Sequence, residues 1–409
     1  MRPSSPLRAY AAVTAAYWAF ELTDGALRML VLLHFNGLGF SPVQLAWLFV
    51  LYEVAGIVTN LAAGWIAARV GLTATLYAGL GVQIAALILL AQLDPAWSVA
   101  VSVGFVMAVQ GASGVAKDLS KMSAKSAVKL LAPAANGGLF SWVAALTGSK
   151  NAVKGAGFFL GAALLGGVGF QPAVWGMAAA LVVVLACVML WMPAGLPQGR
   201  KTARLAEVFS RDPRINRLSL ARLFLFGARD VWFVVGIPVY FTAVLSDGTA
   251  AGQRQAFFLV GGFMAAWIIA YGAVQAAAPR LLRARDKPLA RILHDARVWV
   301  AVLTAIPLML AGFAATQIGG LTPVLVAGLL AFGFVFALNS ALHSYLILAF
   351  ASAERVTMDV GFYYMANAAG RLVGTVLSGV SYQIGGLPLC LATAAAMAAA
   401  SWLSLRRLA

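Results

Sequence analysis

Runs of about twenty mostly apolar residues, separated by short polar breaks, repeat along the whole 409-residue chain. Each is long enough to cross a bilayer as a helix. Twelve spans are predicted, at residues 10–35, 42–69, 73–92, 97–116, 139–168, 172–191, 218–245, 256–278, 298–316, 323–350, 360–384 and 388–405. With no water in the hydrocarbon, backbone groups must pair within each segment, so helices are the expected form. The alternating pattern of a membrane barrel is absent. The expected fold class is an all-α membrane protein of twelve transmembrane helices in two pseudo-symmetric six-helix halves.

Composition narrows the picture. Hydrophobic residues make up 62% of the chain and charged residues 10%, against about 25% charged in soluble domains, which excludes an ordinary soluble enzyme. A net charge of +16 would suggest nucleic acid on a soluble chain. Here the Lys and Arg gather after spans four, six and eight and at the C-terminal end, while the opposite loops carry only Asp94, Asp247 and Arg254. This is the positive-inside pattern, and it predicts a multi-pass protein with both termini cytoplasmic and no nucleic-acid partner. The first apolar run outlasts a signal-peptide core, so it is expected to stay as the first helix. Cys187 and Cys390 lie inside apolar runs and read as reduced packing residues. No Walker loop, zinc motif, nucleophile elbow or catalytic carboxylate pair is present. Neither catalysis, a cofactor nor a metal is expected.

The longest polar connection, residues 193–217, divides the chain into an N-terminal half (1–192) and a C-terminal half (218–409). Trp18, Asp24 and Phe35 match Phe224, Asp230 and Phe241 at one offset; Lys154 and Gly157 match Arg371 and Gly374 at another. Asn60 and Gly64 likewise match Gln275 and Pro279. A central cation landing on a central cation is hard to attribute to chance. Two six-helix halves related by an axis along the membrane normal resemble the major facilitator superfamily. The loop from Gly64 to Gly71 resembles that superfamily's signature Gly-x-x-x-Asp-Arg-x-Gly, with Ala68 where the Asp should be.

Charges at bilayer depth cost about 2.5–3.5 kcal/mol on insertion scales and mark function by default. Span one holds Glu21, Asp24 and Arg28 within one face. Asp24 and Arg28, four apart, read either as a self-neutralised pair or as a charged cavity wall. Glu53 has no cation within a turn and reads as a neutral spectator or a protonatable coupling site. Lys150 and Lys154 share one face of span five, with Asn151 between them and no acid in the span. Lys150 can also snorkel to the cytoplasm. Arg229 and Asp230 point about 100° apart, so each is expected to find its partner on another helix. Arg371 is central in span eleven, one turn after Asn367 and two after Tyr364. Asn339 and His343 read as a helix-packing pair, and His34 as interfacial. Lysines 117, 121, 125 and 129 recur every fourth residue, so they read as a basic extension on anionic lipid or, for Lys117 and Lys121, as an inner mouth that gathers anions.

If Asp24 neutralises Arg28 and Asp230 one other cation, Lys and Arg remain unpaired on the fifth, seventh and eleventh spans, and an anionic small molecule is the simplest completion. Candidate substrate contacts are Arg28, Lys117, Lys121, Lys150, Asn151, Lys154, Arg229, Tyr364, Asn367 and Arg371. Glu21, Asp24, Glu53 and Asp230 are candidate ion-pair or proton-coupling groups.

Four segments resemble the ArsJ family of organoarsenical efflux permeases, a branch of the same superfamily: residues 17–31, 52–61, 113–129 and 146–155. The lysine-rich segment 113–129 is the most specific. The resemblance implies secondary active efflux of 1-arseno-3-phosphoglycerate across a bacterial inner membrane, giving arsenate resistance. It also implies a functional link to the glyceraldehyde-phosphate dehydrogenase that makes this ester. The charge argument alone leaves another organophosphate or organic anion open.

Overall fold

The computed structural model describes residues 5–131, 138–192, 210, 212–283, 287–316, 319–351 and 356–408. The helices are α1 (Ser5–Gly37), α2 (Pro42–Trp47), α3 (Val50–Val70), α4 (Leu72–Leu90), α5 (Val99–Leu131), α6 (Gly138–Val168), α7 (Phe170–Trp191), α8 (Pro213–Val231), α9 (Ile237–Leu245), α10 (Ala250–Leu282), α11 (Leu289–Ala315), α12 (Leu321–Phe350) and α13 (Val356–Arg406). The short α2 leads directly into α3, and a π turn, Trp232–Gly236, joins α8 to α9. Each of these pairs makes one crossing. The π turn frees backbone donors, and the Ser378 hydroxyl accepts from the N–H groups of Val235 (3.1 Å) and Gly236 (3.2 Å).

The long α13 is two crossings. Its backbone leaves helical geometry at Gly385 and at Gly386, where φ is +59°. Before that turn, Gly370 and Gly374 lie against Leu223 and Gly227; after it, Cys390 lies against Val231 and Ser401 against Ala221. One arm therefore runs along α8 and the other returns beside it. Ten stretches are long and apolar enough to cross a bilayer. Adding α1, which carries Glu21, Asp24 and Arg28, and counting α13 twice gives twelve crossings among the described residues, as the hydrophobic pattern predicts. The chain is a multi-pass membrane protein.

Several boundaries differ from the sequence expectation; α11, for one, begins at Leu289 where 298 was expected. Span four, expected to end at 116, continues as α5 to Leu131, because the Ala, Ser, Lys, Met and Leu of that stretch contain no helix breaker. Within the polar connector, α8 begins at Pro213, with the Asp212 carboxylate accepting from the Arg214 N–H at 2.8 Å. Hydrogen bonding to Arg214 also holds the Asp212 carboxyl below the usual carboxylate range. The rest of the connector, 193–209 and 211, lies outside the described residues, as do the side chains of 63–70 in the signature-like loop.

Close helix contacts position the site. A Cβ on Gly25 would stand 2.6 Å from the Lys154 carbonyl oxygen, and one on Gly374 would stand 2.7 Å from that of Gly227. Only glycine permits these approaches of α1 to α6 and of α8 to α13. Between the halves, α6 packs on α10 and α3 on α13. At one end of the bundle the halves meet: Gly37 lies against Gln253, Gly379 against Pro42 and Ala46, and the Val43 N–H donates to Gln383.

Candidate functional site

A cavity of about 1090 Å3 lies between the halves and is lined by α1, α3, α5 and α6 on one side and α8, α10, α12 and α13 on the other. On every helix the lining runs from mid-membrane toward the end where α1 begins and α13 finishes. Of the fourteen residues singled out in the sequence, thirteen line this cavity: Glu21, Arg28, Glu53, Lys117, Lys121, Lys150, Asn151, Lys154, Arg229, Asp230, Tyr364, Asn367 and Arg371. Asp24 stands just behind the wall, bonded to Lys154.

The pairing differs from the expected one at Asp24, Glu53 and Arg229, whereas Asp230 finds a partner on another helix as expected. Asp24 does not pair with Arg28. It accepts from Lys154 on α6 and from the Tyr52 hydroxyl on α3, whose oxygen is 2.8 and 2.9 Å from its two carboxylate oxygens. The glycine contact of α1 with α6 brings Lys154 to Asp24, so an interhelical pair displaces the local one. Glu53 is not partnerless: its Oε1 accepts from Arg28 at 3.1 Å and from Arg371, in the other half, at 2.6 Å. Arg229 and Asp230 do pair, at 2.5 Å, because a long guanidinium can fold back along the helix surface past the angle between their Cβ atoms. Asp230 also accepts from Arg371 at 3.3 Å. The surplus charge expected at Lys154, Arg229 and Arg371 is thus absent: each already meets a carboxylate.

The repeat seen in the sequence is physical. Lys154 pairs with Asp24 as Arg371 pairs with Asp230, and both cations and both acids keep the two sequence offsets. Each half therefore carries one cation–carboxylate clasp between its first and fifth crossings.

The first two lysines of the run, Lys117 and Lys121, face inward. Lys117 is buried, with Nζ 4.0 Å from the Tyr52 ring centroid. Lys121 donates to Asp118 (2.7 Å) and Asn60 (2.9 Å), and Asp118 also accepts from Thr59. Neither lysine lies on a lipid-facing stripe. The side chains of Lys125 and Lys129 lie outside the described residues. His34 stacks on Phe170 at 4.0 Å. Asn339 donates within its own helix to Val335, and neither ring nitrogen of buried His343 has a partner, so these two residues do not form the expected packing pair.

Sequence reasoning missed Arg222, Asp118 and the contacts of Gln275. Arg222, 3% exposed, donates to the carbonyl and hydroxyl oxygens of Ser340 (3.1 and 3.2 Å) and packs on the rings of Phe226 and Tyr363. An arginine one turn inside an apolar span, with no acid within reach on its own helix, was the available signal. The basic connector before it obscured that signal. Gln275 donates to Ser340 (3.1 Å) and accepts from Asn151 across the halves (3.4 Å).

Eight cationic side chains line the cavity (Arg28, Lys117, Lys121, Lys150, Lys154, Arg222, Arg229 and Arg371), against the four carboxylates Glu21, Glu53, Asp118 and Asp230. Counting Asp24 raises the acids to five, so a positive surplus remains among the described residues.

No protein-family model matches the sequence, and no curated protein matches it. Solved structures do match over almost the full length. A point mutant of the nucleoside transporter NupG superposes with a TM-score of 0.73 at 14% identity, covering 99% of this chain and 100% of that one. The human organic anion transporter MFSD10 gives 0.65 at 16% identity, with 99% and 100% covered. A POT family transporter in complex with 5-aminolevulinic acid gives 0.73 at 13% identity, with 96% and 94% covered. At such identities the likeness concerns architecture: the chain has the major facilitator fold, all-helical, with two pseudo-symmetric six-helix halves around a central cavity.

Proposed function

We propose that this chain is a secondary transporter, not an enzyme, and that it moves an organic anion by alternating access of its central cavity to the two sides of a membrane. The observation that carries the reading is the charge balance at the cavity: eight lining cations against five carboxylates, Asp24 behind the wall included. A buried surplus of this kind needs a mobile counter-ion. Support for transport comes from the fold shared with a nucleoside transporter, an organic anion transporter and a POT family transporter.

The particular cargo rests on the ArsJ resemblance of segments 17–31, 52–61, 113–129 and 146–155: 1-arseno-3-phosphoglycerate, made by a glyceraldehyde-phosphate dehydrogenase and exported across a bacterial inner membrane. With the basic loops on the cytoplasmic side, the lined end of the cavity lies toward the cytoplasm, the side from which cargo for export would load. The substrate contacts are Arg28, Lys117, Lys121, Lys150, Asn151, Lys154, Arg229, Tyr364, Asn367 and Arg371. If protons drive the cycle, Glu21 is the favoured carrier among Glu21, Asp24, Glu53 and Asp230. It is fully buried, Lys154 stands 3.9 Å away, and the Tyr17 hydroxyl is its other polar neighbour among the described residues.

Everted vesicles supplied with glyceraldehyde 3-phosphate, NAD, labelled arsenate and the dehydrogenase test this directly. Label should accumulate only when the dehydrogenase is active, and an arsenate-sensitive host should gain resistance. Equal accumulation without the dehydrogenase would mean that arsenate itself is carried. Uptake of phosphoglycerates but not of the arseno-ester would replace the cargo by an ordinary organophosphate.

A further inference from the structure

We propose that the cavity takes a second class of cargo, an amphipathic anion: an oxyanion head joined to an aromatic body that lies on the wall formed by the C-terminal half. This rests on the organic-anion reading above and adds to the small polar ester named there.

The two walls of the cavity differ in kind. Among the described residues, the N-terminal half lines it with thirteen residues, eight of them charged, and the C-terminal half with twenty-four, four of them charged. Most of the C-terminal wall is apolar. Near mid-membrane it presents Phe226, Phe233, Val234, Ile268 and Tyr271; farther toward the end where α13 finishes it presents Pro279, Leu282, Leu342, Tyr345 and Leu348. On the N-terminal wall only Tyr17 and Phe158 are comparable. An apolar wall left to water is unfavourable in proportion to its area. The charged wall opposite cannot cover it without drying its ammonium groups. The apolar body of a cargo covers it and leaves those groups hydrated.

Three rings of that wall form a fixed shelf. Phe226 and Tyr271 both rest on Phe336, with centroids 5.1 and 5.5 Å apart, and Phe233 and Tyr271 both rest on Trp267, at 5.0 and 5.7 Å. Phe158 reaches the same shelf from α6, 6.0 Å from Phe233. Shared backing rings hold the shelf in one orientation, so a flat group docks on it at little entropic cost. Cations border it. The guanidinium carbons of Arg222 and Arg229 lie 4.0 and 5.0 Å from the Phe226 centroid. Arg229 is paired with Asp230, whereas the Arg222 Nε is buried with no acceptor. An unfilled cationic donor beside an aromatic surface suits an anion that carries a ring.

The test compares 3-phenylpropyl phosphate with n-propyl phosphate, which shares the head and lacks the ring, and with 3-phenylpropan-1-ol, which keeps the ring and lacks the charge. Binding is measured by titration calorimetry on the whole chain in nanodiscs, with empty nanodiscs subtracted. Wild type should bind the phenylpropyl ester about 10- to 100-fold more tightly than the propyl ester, the worth of burying one phenyl ring. The alcohol should bind at least about tenfold more weakly than the phenylpropyl ester. Phe226→Leu and Tyr271→Leu, which keep apolar bulk but lose the ring, should each cut the preference for the phenylpropyl ester by about 3- to 10-fold. Propyl phosphate binding should change less than about twofold in both. Equal affinity for the two esters, equal affinity for phenylpropyl ester and alcohol, or an unaltered preference in both variants would overturn the amphipathic site while leaving organic-anion transport standing. Wild type binding neither ester would overturn the organic-anion reading with it. Should the leucine variants fail to purify, 3-(4-azidophenyl)propyl phosphate photolysed on wild type decides: label should fall mainly on α8 or α10, and label mainly on any other helix would overturn the proposal.

Discussion

Lys154→Gln should cost more stability than Asp24→Asn, although both changes break the same clasp. Lys154 is 16% exposed at its side chain and Asp24 2%, so the pair is effectively buried. Removing one partner of a buried pair costs about 3–5 kcal/mol, because the other charge is left uncompensated. Losing Lys154 leaves two acids without an ion-pair partner among the described residues: Asp24 keeps only the Tyr52 hydroxyl, and Glu21 only the Tyr17 hydroxyl. The full cost is expected. Losing Asp24 leaves Lys154 with Glu21, already 3.9 Å away. A small side-chain movement restores an ion pair, and the expected cost falls to about 1.5–3 kcal/mol, that of a hydrogen bond to a charged group. The double variant Asp24→Asn/Lys154→Gln should recover at least about 1 kcal/mol relative to the sum of the singles. Thermal unfolding in one detergent at fixed pH, followed through the eleven tryptophans, gives the order of the midpoints. A kcal/mol corresponds to roughly a degree or two in a chain this long. Equal midpoints for the singles, Asp24→Asn as the worse variant, or strict additivity in the double would refute the reasoning.

Three further outcomes follow from local structure. A carboxyl held below its unfolded value stabilises above that value and loses its effect as pH falls through the lowered one. The first turn of α8 should therefore fray below about pH 4 in wild type but not in Asp212→Asn, and hydrogen exchange corrected for intrinsic rate reads this. Since Asp212 is 28% exposed at its side chain, the effect should stay under about 1 kcal/mol. Gly374→Val would force the α13 backbone away from Gly227, and the yield of monodisperse protein should collapse. Gly176→Val, with open space around it, should be tolerated. Ser378→Ala strands the two N–H groups of the π turn and should lower the unfolding midpoint by the equivalent of about 1–3 kcal/mol. Ser378→Thr, which keeps the hydroxyl, should largely restore it.

The sequence alone carried the number of crossings, the basic and non-basic ends, the internal repeat and the depth of nearly every charge that lines the cavity. These are properties of period, length and composition. An apolar run must be a helix in hydrocarbon, and a charge inside it must face protein. What only the tertiary structure decided is which charge meets which. An i, i+4 pair such as Asp24 and Arg28 competes with partners on other helices, and a glycine seam settled that contest by setting Lys154 against Asp24. Glu53, with no cation on its own helix, collects two arginines from α1 and α13. Arg222, four residues into the seventh predicted span, carried no reading until the fold placed it on the cavity wall against Ser340. Hydrophobic pattern is local to the chain, whereas charge pairing depends on distances of a few ångströms between helices far apart in sequence, which only packing fixes.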